Sequence, residues 1–100
     1  MTDLESLYNE ILKAKELDAE LSLLCGRAAE YARLHLYARK VQGCNSLGEI
    51  ENLLDEFRKM ILEIIRYCVE KKYIDGHALY TVEMTDEELE RLGEELGEFL

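Results

Sequence analysis

Few side chains in this 100-residue chain have types and spacings suited to chemistry. His35 and Arg39 stand one helical turn apart, close enough for an imidazole and a guanidinium to hold one carboxylate or phosphate between them. With Asp18 they are also the polar members of an otherwise apolar series. A polar residue in a helical seam commonly fixes register and partner number at some cost in stability, and that structural role is the expectation for Asp18, His35 and Arg39.

Carboxylates provide the second candidate. Glu87 and Glu90, like Glu95 and Glu98, are three apart, which puts each pair on one helix face. All-α magnesium-dependent nucleotide hydrolases use paired acids of this kind, but on long helices facing a pocket. On a short terminal helix the same spacing reads as a solvated acidic face. Cys25, Cys44 and Cys68 are odd in number, form no CxxC, and share no diagnostic ligand spacing with His35 or His77. They read as reduced thiols. No HExxH, EF-hand loop, GxSxG, Walker loop or dinucleotide fingerprint occurs. No catalytic residue, cofactor or metal is therefore expected, and the chain does not read as an enzyme.

Tyrosines form the third group. Tyr31, Tyr37, Tyr67, Tyr73 and Tyr80 are interleaved with Arg27, Arg33, Arg39 and Lys40, a mixture able to stack bases and grip phosphates. Tyrosines near helix boundaries also serve as rim or interface residues with the hydroxyl in water. The net charge of −10 and pI near 4.6 favour that second role, because coating nucleic acid or anionic lipid needs an excess of Lys and Arg. Residues 73–100 carry nine carboxylates against Arg91, so the acid is concentrated in the C-terminal quarter and suits a basic partner.

What must position these groups is helical. Leu4, Leu7, Ile11, Ala14, Asp18, Leu21, Cys25, Ala28, Ala32, His35 and Arg39 alternate by threes and fours in one unbroken phase, and eight of the eleven are apolar. The spacing predicts one helix over residues 3–42, continuous through Gly26 because Arg27-Ala28-Ala29-Glu30 offers no cap for a restart. The small residues Cys25, Ala28, Ala29 and Ala32 would let another helix approach closely. A second helix over 47–72 carries a broad stripe from Ile50 to Cys68. An extended connector, with strand-like alternation from Ala78 to Met84, covers 73–84, and a short helix covers 86–99. Gly93 and Gly97 weaken that last helix intrinsically, so it should form by docking. Ser or Thr followed three residues later by Glu marks the three starts as capping boxes: Thr2–Glu5, Ser46–Glu49 and Thr85–Glu88.

The expected fold is thus all-α and a single domain over 1–100: a long antiparallel helical hairpin plus a short C-terminal helix. Forty helical residues span about 60 Å, against a radius of gyration near ~13 Å for a compact chain of this size. An apolar seam that overhangs must be covered, and a homodimer through Leu21, Cys25, Ala28, Ala32, His35 and Arg39 would complete the bundle. No stretch is apolar enough to span a membrane, and Asp3 and Glu5 stand where a signal peptide needs positive charge, so a cytoplasmic protein is expected. Abundant Glu and Leu, scarce Asn and Gln, and the lack of proline lean toward a heat-adapted source. The function expected is a non-catalytic helical assembly or adaptor module. A small subunit of a nucleic-acid-associated complex and the magnesium-dependent nucleotide hydrolase are its rivals.

Overall fold

Four helices make up 87% of the residues that the computed structural model describes, namely 4–41, 47–76 and 85–97. They are α1 (Leu4–Leu17), α2 (Ala19–Lys40), α3 (Leu47–Glu70) and α4 (Asp86–Leu96), and no strand occurs among the described residues. The described residues build an all-helical fold, as the periodicity predicts. Thr2, Ser46 and the alternating segment 78–84 lie outside the described residues, so of the three predicted capping boxes only Thr85–Glu88 falls within them. That box is complete: the Thr85 hydroxyl accepts from the Glu88 amide at 3.2 Å while the Glu88 carboxylate accepts from the Thr85 amide at 3.3 Å.

The single helix expected over 3–42 is two helices. Its break falls at Asp18, while Gly26 is carried inside α2 as predicted. Asp18 is in extended backbone, φ −135° and ψ 109°, and its Oδ1 accepts from the amides of Glu20 and Leu21 at 3.0 and 3.1 Å. It is therefore the N-cap of α2, supplying acceptors to amides that a helix start leaves unpaired. The break removes the predicted overhang. The longest dimension is 43 Å with a radius of gyration of 13.6 Å, close to the compact value for this length.

α2 is the hub, packing against both α3 and α4, with α1 against α2 and α3. Between Leu21 and His35 its buried side is made of small residues, Cys25, Gly26, Ala28, Ala29 and Ala32, which is why a neighbour can come close. α1 contributes Leu7, Ile11 and Ala14 to the core, α3 contributes Phe57, Ile61, Ile64, Ile65 and Cys68, and α4 contributes Leu89, Leu92 and Leu96. Each large member contributes about 1.5–3 kcal/mol by leaving water.

The end of α3 sets up the contact that secures the break. Tyr73 N donates to Cys68 O at 2.8 Å and Lys72 N to Val69 O at 3.0 Å, the paired bonds of a Schellman turn, with Lys72 left-handed at φ 62°. Lys72 thus lies past the helix and not in its last turn. An L side chain there is strained, so Lys72→Gly should raise stability by about 1 kcal/mol, measured by chemical denaturation. The turn delivers the Tyr73 hydroxyl to Asp18 Oδ2 at 3.0 Å, beside that of Tyr67 at 2.7 Å. Tyr67 also reaches Glu20 Oε2 at 3.3 Å.

These donors stabilise the Asp18 carboxylate. The Tyr67 hydroxyl foremost, then the Leu21 amide, hold its pKa below the usual 3.8, against a smaller opposing effect of burial. A depressed folded pKa contributes stability that is full above the unfolded value and is lost as pH falls through the folded one. Asp18→Asn should therefore lower the midpoint of urea unfolding at neutral pH, and the gap from wild type should close as pH drops below 3.8. A gap that stays constant from neutral to acid pH would mean that the charge on Asp18 does not matter.

Candidate functional site

His35 and Arg39, the pair suited by spacing to an anion, do hold one, and it comes from the same chain. Arg39 Nη1 donates to Glu90 Oε1 at 2.7 Å, and His35 Nδ1 lies 2.6 Å from that oxygen. His35 is 2% exposed and Glu90 6% exposed, so the contact is inside the α2–α4 interface. The two nitrogens differ in quality. Arg39 points its N–H along the line to the carboxylate, whereas His35 Nδ1 sits at contact distance without the alignment of a hydrogen bond. The Glu90 carboxylate raises the pKa of the Arg39 guanidinium, through the hydrogen bond first and its charge second.

Glu90 is a correction to the sequence reading, which put Glu87 and Glu90 together on a solvated face. Glu87 is exposed and Glu90 is buried. Glu98 lies outside the described residues, and Glu95 pairs with Arg91 at 3.5 Å along α4. One signal could have located Glu90: it continues the 3–4 spacing of Gly93 and Gly97, so the three share one face of α4.

That face is unusually close to α2. A Cβ placed on Gly97 would lie 2.0 Å from Ala29 Cβ, and one on Gly93 would lie 2.3 Å from Phe57 Cζ and 2.9 Å from Ala32 Cβ. The close approach predicted from the small residues of α2 is made, and α4 makes it. Three polar contacts hold α4 in place: Glu90 at its middle, Asp86 to Arg58 near its start, and the buried Lys15 ammonium donating to the Leu96 carbonyl at its end. A cation there also suits the negative end of the helix dipole.

The interface candidates are accounted for within one chain. Leu21, Cys25, Ala28 and Ala32 are fully buried, covered by the neighbouring helices that were expected to leave them bare. The apolar surface that called for a second copy is closed internally. Of the other candidates, Asp18 caps α2, His35 is buried, and the Arg39 side chain is half exposed.

Cys25 and Cys68 are buried, and the loss of water raises their thiols to about 11 and about 12, with Lys15 partly opposing the rise at Cys25. Thiolate is the reactive form, so both should resist thiol reagents at pH 7 until denaturant is added. Mass spectrometry after alkylation of native and unfolded protein checks this. Modification of either residue at the rate of a free thiol would contradict it.

Among the described residues, no three His, Cys, Asp or Glu side chains gather as a metal site needs, and no helix is long and apolar enough to cross a membrane. Comparison with protein families, with curated proteins and with solved structures finds no match. Large apolar side chains left outward are Leu17 at the end of α1, Leu62 on α3, and three on the far side of α2, where Leu23 is 67% exposed, Leu34 51% and Tyr37 65%.

Proposed function

We propose that this chain is a non-catalytic helical module that assembles with other proteins, including a second copy of itself. The observation that carries this reading is the division of α2. Its reactive side chains, His35 and Arg39, are spent on the internal carboxylate of Glu90, while its opposite face offers Leu23, Leu34 and Tyr37 to solvent. The exposed Glu87 and Glu94 keep an acidic surface on α4 for a basic partner, although Asp86, Glu88, Glu90 and Glu95 are occupied within the chain. The buried, unreactive thiols suit a reducing compartment such as the cytoplasm.

One observation favours the nucleic-acid rival: Arg27, Arg33, Lys40 and Tyr37 are all exposed on α2. Glu20 and Glu30 share that exposed side and offset most of the positive charge, which weighs against phosphate binding. The hydrolase rival would need Glu90 free to hold magnesium, and Glu90 is held by Arg39.

Three measurements on the whole chain separate these readings. Affinity purification from the source cell should return the same protein with wild type and lose it with Leu34→Asp. Single-stranded RNA at low salt should not bind. Nucleoside triphosphates with magnesium should release no phosphate. Micromolar RNA binding lost in Arg33→Ala would replace the proposal with the first rival, and phosphate release lost in Glu87→Gln would replace it with the second.

A further inference from the structure

The exposed face of α2 is a second heptad seam. Glu20, Leu23, Arg27, Glu30, Leu34 and Tyr37 alternate by threes and fours on the side opposite the buried series, and each is exposed. Read backwards, the series has the same spacing and complementary chemistry. If a second α2 is laid antiparallel across a twofold axis passing beside residues 28 and 29, Arg27 meets the partner's Glu30 and Leu23 meets the partner's Leu34. Glu20 meets the partner's Tyr37, whose hydroxyl can donate to the carboxylate. Twofold symmetry repeats every pair, so this one stripe supplies two ion pairs, two leucine layers and two tyrosine–carboxylate contacts.

Charge selects the direction. A parallel pairing would set Arg27 against the partner's Arg27 and Glu30 against the partner's Glu30, stacking like charges at the centre, and the antiparallel one turns both into attractions. The outer face carries Glu20 and Glu30 against Arg27, Arg33 and Lys40, so it has little net charge with which to attract a strongly charged partner, but it complements itself. Shape agrees. Beside Leu23 lies an open groove of about 470 Å³ floored by Ala19, Gly26 and Ala29, which leaves room for an incoming leucine.

We infer that the outer face of α2 is the docking surface for a second copy of this chain, paired antiparallel through Leu23, Arg27, Glu30, Leu34 and Tyr37. The inference deepens the assembly reading and rests on it, while moving the interface to the side of α2 opposite the buried seam. One helix face lies at the small end of specific interfaces, so the dimer should come apart on dilution.

Sedimentation equilibrium of the full chain from low to high micromolar concentration tests this, with circular dichroism to confirm that each variant stays folded. Wild type should rise from 11.6 kDa to twice that mass. Arg27→Glu and Glu30→Arg should each hold the chain at the monomer mass, since each sets like charges across the axis. The double variant Arg27→Glu with Glu30→Arg should dimerise again, a recovery that lost packing alone cannot produce. A wild type that remains monomeric at every concentration overturns the inference. So does a dimer that neither single variant weakens, because its contact is then elsewhere. A monomer that still captures a partner through Leu34 in the purification above overturns self-association while leaving the module reading intact.

Discussion

Gly97→Ala should destabilise the protein by about 1–3 kcal/mol, although helix propensity ranks alanine about 1 kcal/mol above glycine. Gly97 caps α4 at φ −104°, a backbone that any residue adopts, so conformation is not the obstacle. The obstacle is the new methyl group, whose carbon would lie 2.0 Å from Ala29 Cβ, about half a normal van der Waals separation. α4 must shift outward, and that loosens the packing of Leu92 and Leu96 and the contacts at Glu90 and Lys15 together. The check is a double-mutant cycle in urea. Ala29→Gly should itself be destabilising, yet in the Gly97→Ala background it should restore most of the loss, because it removes the atom struck. Additive losses would mean that the two helices do not meet there.

The other large effect is expected at Glu90. Glu90→Ala leaves the buried His35 and the Arg39 guanidinium without the oxygen on which both converge, so the midpoint of urea unfolding should fall. The Arg39 side chain is half exposed and recovers water, which keeps the loss below the roughly 3–5 kcal/mol of breaking a fully buried ion pair. Replacing the whole arrangement with apolar groups should be far milder. Glu90→Leu combined with His35→Leu should unfold later in urea than Glu90→Ala alone. If Glu90→Ala melts with wild type, the buried contact contributes nothing to stability. The same variant bears on function, since a hydrolase using Glu90 would lose activity beyond what its lost stability explains.

Periodicity reached much of the architecture because burial and helical repeat are local signals. The stripe on α3, the start of α4 at Thr85 and the continuity of α2 through Gly26 could all be read from neighbours within a few residues. The break at Asp18 could not be read that way. It takes a single residue, too little to disturb the 3–4 phase, and with Leu21 three positions on it lacks the Glu that completes a capping box. What holds it there are two tyrosine hydroxyls, 49 and 55 positions away.

Glu90 was hidden for a related reason. A glutamate in an acidic helix patterns as solvent-facing, and its partner Arg39 is 51 positions distant. The spacing of His35 and Arg39 suits an anion, and the anion is a carboxylate of the same chain. The glycines of α4 illustrate the same limit, since their helix propensity is visible in the sequence and their closeness to α2 is not.

The bond from Lys15 to the Leu96 carbonyl joins positions 81 apart, nearly the two ends of the chain. During synthesis Lys15 leaves the ribosome long before Leu96, so this bond forms only after the intervening helices have emerged. Until α4 arrives, the small-residue side of α2 that it covers stays open, in a nascent chain that a chaperone or a second nascent copy could engage. Shortening the chain at its C-terminal end should then be felt at the opposite end, in α1, and the four helices should live or die as one cooperative unit with no stable half.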